Sequence, residues 1–337
     1  MIEKPIIFIV GNSRSGTTLM ARILTRHPDI YIQNETHFVE EFSKERSEDF
    51  FLSSNKIQSI VDRMLAIQTN GYYRKNVKVK NSQSESIIES LSSRNEVSFE
   101  DVVRTVFMLE AKKRGKAITG DQTPRHVFYI RDIRRMLPEA VFINMIRDPR
   151  GVLLSQKHKW KAGIRLNVPK YETIRTYFNY HPILMSIMWR KGIEKAIKAS
   201  KDIGNESLIN VKFEDLTNHP RETIMQICKF LSVTYSDEML DITVSMSSTK
   251  TDEGKVGISK KVQKAWTSQL SSTDIYFSEK INGDLLQNFN YVLTKKKPDL
   301  FSLIFEYLKL PLQIIIIVFL NLNRMGNPIS FLRKRFE

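Results

Sequence analysis

Between Val10 and Leu19 the chain reads Gly11-Asn-Ser-Arg-Ser-Gly-Thr-Thr18. An apolar run, Ile6 to Val10, leads into it, and a stretch with helical character, Thr17 to Arg26, leads away. A glycine-bearing turn from strand to helix can gather backbone N–H groups around an anion, and the helix N-terminus adds partial positive charge. Four residues separate Gly11 from Gly16, the spacing of a P-loop. A loop for a nucleoside triphosphate continues with lysine, which pairs with the β and γ phosphates. Here that residue is Thr17, and Arg14 supplies a cation from inside the loop instead. The set suits a phosphate or phosphosulfate better than a magnesium-bound triphosphate. The competing reading is a P-loop nucleotide or small-molecule kinase, with Asp148, just beyond another apolar strand, as the magnesium carboxylate.

Such a loop works only on a rigid sheet edge, and the flanking pattern predicts one. Short apolar runs at Ile6 to Val10, Ile30 to Gln33, Ala117 to Thr119, Val141 to Ile146 and Leu208 to Val211 read as strands buried on both faces. Helical stretches alternate with them at Thr17 to Arg26, Ser98 to Arg114, Val127 to Met136, Pro149 to Lys161 and Arg221 to Leu231. Ser98 reads as an N-cap, and Pro149 suits a first helical turn. The pattern predicts an α/β fold: a P-loop-like three-layer α/β/α domain with a central, mostly parallel sheet of about five strands. Residues 43–97, polar and Ser-rich, read as a helical insertion over the site, and residues 245–264 as a mobile loop with a lysine cluster.

Lys and Arg outnumber Asp and Glu by 52 to 37, so the first expectation is an anionic partner: nucleic acid, an anionic membrane or a small anion. No nucleic-acid-reading module or basic recognition helix is visible in the sequence, which sets nucleic acid aside. The one cysteine, Cys228, forbids an intrachain disulfide and a Cys-rich metal site, and reads as a buried helix residue in a reducing compartment. The apolar run at the N-terminus is too short for a signal peptide. Leu300 to Leu322 is strongly apolar but carries Glu306, Lys309, Pro311 and Gln313, between Lys295–Lys297 and Arg333–Arg335. This tail, residues 295–337, reads as an in-plane helix on an anionic membrane surface, or as an amphipathic helix packed on the domain or on a second copy in a homodimer. His126, His158 and His181 stand at no informative spacing from a carboxylate and read as surface or satisfied polar residues.

The loop Arg14-Ser-Gly-Thr-Thr-Leu19 resembles that of the sulfotransferase superfamily. Val141-Phe-Ile-Asn-Met-Ile-Arg-Asp-Pro-Arg-Gly-Val-Leu-Leu-Ser155 resembles that family's second phosphate motif, an arginine ending a strand and a serine eight residues on. His27-Pro-Asp29, Asn34-Glu-Thr-His37, Gly120-Asp-Gln-Thr-Pro124 and Val211-Lys-Phe-Glu-Asp-Leu216 are similar to further stretches of the tyrosylprotein and carbohydrate branches, in a bacterial-type form without an N-terminal anchor. The resemblance implies a cytoplasmic enzyme, residues 1–294 forming its domain, with 3′-phosphoadenosine 5′-phosphosulfate as co-substrate and no metal. It further implies that Arg14, Ser15, Gly16, Thr17 and Thr18 bind the 5′-phosphosulfate, that Arg147 and Ser155 bind the 3′-phosphate, and that Lys260 and Lys261 close over the nucleotide. Glu35 stands where the tyrosylprotein branch places its base, and Arg14 would stabilise the bridging oxygen; the acceptor would be a hydroxyl of a saccharide, a lipid-linked glycan or a tyrosine. One position departs: where the family has lysine, this chain has Gln122, a donor without charge. A third reading, besides transferase and kinase, is a non-enzymatic basic protein on a membrane.

Overall fold

The computed structural model describes residues 4–43, 45, 51–71, 81–165, 168–242 and 263–322. These form two compact units. One takes the residues up to Ile146 together with Lys195–Ile242, and the other takes Arg147–Glu194 together with 263–322.

The first unit is an α/β layer structure on a five-stranded parallel sheet, as the alternating pattern predicts. Its strands are β1 (Ile6–Gly11), β2 (Ile30–Gln33), β3 (Ile118–Asp121), β4 (Ala140–Ile146) and β5 (Leu208–Lys212), in the order β2-β3-β1-β4-β5. Central β1 pairs Phe8 with Asp121 on one side and with Phe142 on the other. Because successive side chains leave a strand on opposite faces, β1 feeds two cores. Ile6, Phe8 and Val10 pack with Phe38, Phe107 and Phe142, whereas Ile7 and Ile9 pack with Met20, Ile23, Leu24, Ile143 and Met145. The Phe8 ring lies 5.5 Å from Phe142 and 6.2 Å from both Phe38 and Phe107, contacts that add about 0.5–1.5 kcal/mol each beyond burial. These rings also locate the start of the short helix Phe38–Glu41, which borders the candidate site.

Ser98 caps its helix, accepting from the Asp101 N–H while the Asp101 carboxylate accepts from the Ser98 N–H. Pro149 occupies the first turn of its helix, and Cys228 is buried in the helix Pro220–Phe230. Several boundaries differ from the sequence reading by a residue or two, and three differences have a visible structural form. Strand β3 runs on to Asp121 because Gly120 lets it approach β1: a Cβ there would strike the Ile7 carbonyl oxygen. The stretch Val127 to Met136 is not one helix. Pro124 starts a 3-10 turn, and Tyr129, at φ −123° and ψ 15°, separates it from the helix Ile130–Met136. The helix from Pro149 stops at Lys157, where His158 leaves helical geometry and a new helix, Lys159–Arg165, begins; no glycine or proline marks that break. Helices do occupy the 43–97 stretch, at Ser54–Asn70 and Asn81–Ser92.

The second unit is helical. Leu153, Leu154, Trp266, Leu270 and Ile275 form its core. Arg150 is buried in it, held by both oxygens of Asp148 at 2.9 and 2.7 Å and by Glu279 at 2.7 Å, with its guanidinium 4.0 Å over the Trp266 ring. A buried arginine is tolerable only with partners of this quality, since removing one leaves an uncompensated charge. The helix Leu300–Asn321 also belongs to this unit.

Candidate active site

The loop after β1 owes its shape to three residues with positive φ: Gly11 at 136°, Arg14 at 77° and Gly16 at 94°. Gly11 is required as glycine, because a Cβ there would strike the Met145 carbonyl oxygen of β4. At Gly16 a Cβ would come within 2.5 Å of the Phe213 ring, which supports the loop from the end of β5. The helix Thr17–Arg26 starts with no side-chain cap, so its first amides have no partner inside the helix and are available to an anion. The Ser15 hydroxyl is buried and has no hydrogen-bond partner among the described residues, a group built to receive one. Thr17 is buried, whereas Thr18 is exposed. Gln122 reaches this loop: its Nε2 donates to Thr17 Oγ1 at 3.1 Å. The position where the resemblance places lysine is thus spent on orienting a loop hydroxyl. Burial lowers the Arg14 pKa, and the nearby Glu35 carboxylate works in the opposite direction.

Glu35 follows β2 on a linker tied down from behind. The Thr36 N–H donates to Asp121 Oδ1 at 3.2 Å and to Thr123 Oγ1 at 3.0 Å, and Thr36 Oγ1 donates to Asp121 Oδ1 at 2.8 Å. Next to it His37 takes the left-handed conformation, φ 50°, and its Nε2 donates to Glu35 Oε2 at 3.1 Å. The chain of ionisable groups continues inward. His37 Nδ1 stands 3.9 Å from Glu40 Oε1; His126 Nε2 lies 3.5 Å from Glu40 Oε2 and its Nδ1 lies 3.0 Å from Asp121 Oδ2. His126 and Asp121 are completely buried. The His126 ring is also gripped by apolar neighbours, 5.0 Å from Phe38 and 6.3 Å from Phe8.

The electrostatics follow from this alternation of acid and base. Burial disfavours charge on His37, but Glu35 and Glu40 overcome it and raise its pKa to about 9. Burial likewise opposes charge on Glu40, and His126, His37 and Arg125 outweigh it and hold the carboxyl well below the usual carboxylate range. His126 is raised by Asp121 and Glu40 against its burial. At neutral pH His37 and Glu40 are therefore charged, and the half-exposed Glu35 is the outer end of the set.

Arg14, Ser15, Gly16, Thr17, Thr18 and Glu35 all lie in the first unit, at the carboxyl edge of its sheet. Arg147 and Ser155 belong to the second. Arg147 directly follows β4, is buried, and anchors its carbonyl on Trp189 Nε1 at 2.9 Å. Gly151 makes room for it, since a Cβ there would stand 3.1 Å from Arg147 Nε. Buried Ser155, four residues on, shares that helix face. Lys260 and Lys261, with nearly all of the 245–264 loop, lie outside the described residues.

A sequence model of the sulfotransferase family matches residues 5–237. The chain belongs to the sulfotransferase family. It is 25% identical to protein-tyrosine sulfotransferase 2 of Gallus gallus over 71% of this chain and 54% of that protein. It is 27% identical to the protein-tyrosine sulfotransferase of Drosophila melanogaster over 71% of this chain and 40% of that protein. The chain thus spans about half the length of the curated relatives it matches. In fold it is similar to the sulfotransferase domain of the Synechococcus PCC 7002 olefin synthase, with a TM-score of 0.53 at 18% identity over 86% of this chain and 97% of the other. The sulfotransferase domain of the curacin biosynthetic pathway is comparable, with a TM-score of 0.52 at 17% identity over 86% of this chain and 99% of the other.

Family membership and geometry together bear on the remaining sequence candidates. Asp148, the magnesium carboxylate of the kinase reading, is bound on both oxygens by Arg150, which leaves that reading without its metal ligand. His126 is not a surface residue: its partner Asp121 stands only five positions earlier, but the end of β3 and the 3-10 turn, not a helical period, bring them together. His181 is buried as well, against Glu306. Glu40 and the Phe213 support were not legible, because their partners His126 and Gly16 stand 86 and 197 positions away, whereas His37 was missed although Glu35 and Glu40 are close in sequence, since its left-handed backbone is not readable from residue type.

Proposed function

We propose that this sulfotransferase-family chain moves a sulfuryl group from 3′-phosphoadenosine 5′-phosphosulfate to an acceptor hydroxyl by in-line displacement. The observation that carries the reading is the loop Gly11–Thr18: a glycine-built anion cradle that holds an arginine and an orphaned buried hydroxyl, and has threonine where a triphosphate loop needs lysine. Its residues Arg14, Ser15, Gly16, Thr17 and Thr18 would hold the 5′-phosphosulfate, and Arg147 and Ser155 the 3′-phosphate. Lys260 and Lys261 complete the proposed nucleotide set.

In the step itself, the acceptor oxygen forms a bond to sulfur while the bond from sulfur to the bridging oxygen breaks. The acceptor proton passes to Glu35, and the electron pair of the broken bond leaves on 3′-phosphoadenosine 5′-phosphate. His37 occupies Glu35 Oε2, so Oε1 receives the proton. Arg14 offsets the charge that grows on the leaving phosphate. Gln122, uncharged, contributes by orienting Thr17. The helical stretch 43–97 would border the acceptor, whose hydroxyl belongs to a tyrosine, a saccharide or a lipid-linked glycan. The single buried Cys228 suits a reducing compartment, and on it we base a cytoplasmic setting.

Thermal shift and transfer of labelled sulfuryl groups test the reading. Stabilisation by 3′-phosphoadenosine 5′-phosphate without magnesium, and label appearing in a peptide, glycan or lipid fraction, are expected. Stabilisation only by ATP with magnesium, or no nucleotide response at all, would overturn it.

A further inference from the structure

The helix Leu300–Asn321 is built inside out. Its buried side chains are polar: Gln313 and Asn321 are 5% and 8% exposed. Gln313 Nε2 donates to the carbonyls of Phe178, at 2.7 Å, and Tyr180. Asn321 donates to Asn179 Oδ1 at 3.1 Å and accepts from Arg175 at 3.0 Å. About two turns before Gln313 on the same face, Glu306 lies 3.4 Å from His181. The opposite face carries Phe301, Phe305, Leu308, Leu312, Ile315 and Phe319, at intervals of three and four residues, and these are between 61% and 86% exposed. Spacing of that kind draws one apolar stripe along a helix, about 33 Å long for this one. The neighbouring helix Lys170–Phe178 adds exposed Tyr171, Ile174 and Tyr177. Contiguous apolar surface of this extent marks an interaction face.

We propose that this face lies in the plane of a membrane, immersed in one leaflet of an anionic bilayer. Charge selects that occupant. Exposed Lys295, Lys296 and Lys297 lead into the helix, and Arg333, Lys334 and Arg335 follow it in the sequence. Anionic headgroups attract both clusters, whereas a second copy seated on the same face would oppose them with its own. The helix is long and apolar enough to span, but its polar face is committed to the protein from Glu306 to Asn321. Spanning would strip Gln313, Asn321 and Glu306 of those partners and leave them unsatisfied in hydrocarbon. Docking in the plane keeps every one of them.

The test is co-sedimentation of the full chain with phosphatidylcholine vesicles that contain or lack phosphatidylserine, together with sedimentation velocity in their absence. Wild-type protein is expected to pellet with the anionic vesicles and to release with rising salt. Replacing Lys295, Lys296 and Lys297 by alanine should weaken binding on the order of a hundredfold at low salt. The variant Phe305→Ser/Leu308→Ser/Leu312→Ser, altered only at exposed positions, should fold with an unchanged thermal midpoint and lose binding. Wild-type protein that stays in the supernatant would overturn the proposal. So would equal binding by the serine variant, or a stable dimer in solution that the same serine substitutions dissolve.

Discussion

The linker behind Glu35 and the C-terminal helix break the same rule in opposite directions. Around Glu35 the protein takes ionisable groups inside: His37, Glu40, His126 and Asp121 are held away from water, each acid beside a base. Along Leu300–Asn321 it leaves hydrocarbon outside and buries amides. Burial of charge costs several kcal/mol per ion unless geometry compensates, and exposure of a large apolar stripe forfeits about 25 cal/mol per Å². A chain selected only for stability would carry neither. On the readings proposed above, the first exception positions a reacting group and the second awaits a phase other than water.

The largest effect should come from the outer end of the buried chain. Glu35→Gln is expected to lower kcat by about 10²–10⁴-fold while leaving the affinity for 3′-phosphoadenosine 5′-phosphate unchanged, read by steady-state kinetics beside calorimetry. Wild-type turnover in this variant would reduce the network to a structural feature. Asp121→Ala, at its inner end, should cost about 3–5 kcal/mol in urea denaturation, because it leaves His126 buried beside one fewer carboxylate. A loss below 1 kcal/mol would show that the charges are not mutually held.

Between these ends, His37 predicts a pH dependence. Its pKa stands at about 9 in the folded chain, against about 6.5 unfolded, so folding takes up a proton there. The resulting stability is complete below about pH 6.5 and is lost as pH climbs through 9, an effect of order 3 kcal/mol. His37→Gln should flatten that slope. An unchanged slope would place the titrating group elsewhere.

Gln122→Lys asks whether the loop lacks a charge. A charged donor on the loop should raise kcat by about fivefold to tenfold, the difference between a neutral and a charge-assisted hydrogen bond. No change would mean that Arg14 already suffices. The smallest effect belongs to the other region: Leu308→Ser, in the absence of membranes, should alter stability by less than about 0.5 kcal/mol. A large loss would show that this side chain is packed after all, and the contrast between the two regions would disappear.

Much of the first region could be read from residue order. The loop Gly11–Thr18 was legible because glycine at fixed spacing has a backbone meaning, and the strands because a run such as Ile6-Ile-Phe-Ile-Val10 suits a strand covered on both faces. Ser98 showed its cap for a similarly local reason. Glu35 became a candidate through resemblance, since one carboxylate on a linker carries no signal of its own. The relay behind it was invisible: Glu40 and His126 stand 86 positions apart, and neither residue type announces burial. The break at His158 was hidden too, because a helix can end for want of packing as well as at a glycine or proline.

The order of residues therefore determined what is local in this protein: the α/β alternation, the anion loop, the basic surplus and the apolar content of the tail. Each depends on backbone preference or composition within a few positions. Tertiary structure alone decided which face of the C-terminal helix points outward, because Gln313 and Asn321 could be recognised as inward only once carbonyls near residues 178–180 and the Asn179 amide were placed beside them. It also decided that Gln122 serves Thr17, a pairing across 105 positions that depends on the register of a sheet gathering distant segments at one edge, and that His37 turns back onto Glu35, two positions away, through its left-handed backbone.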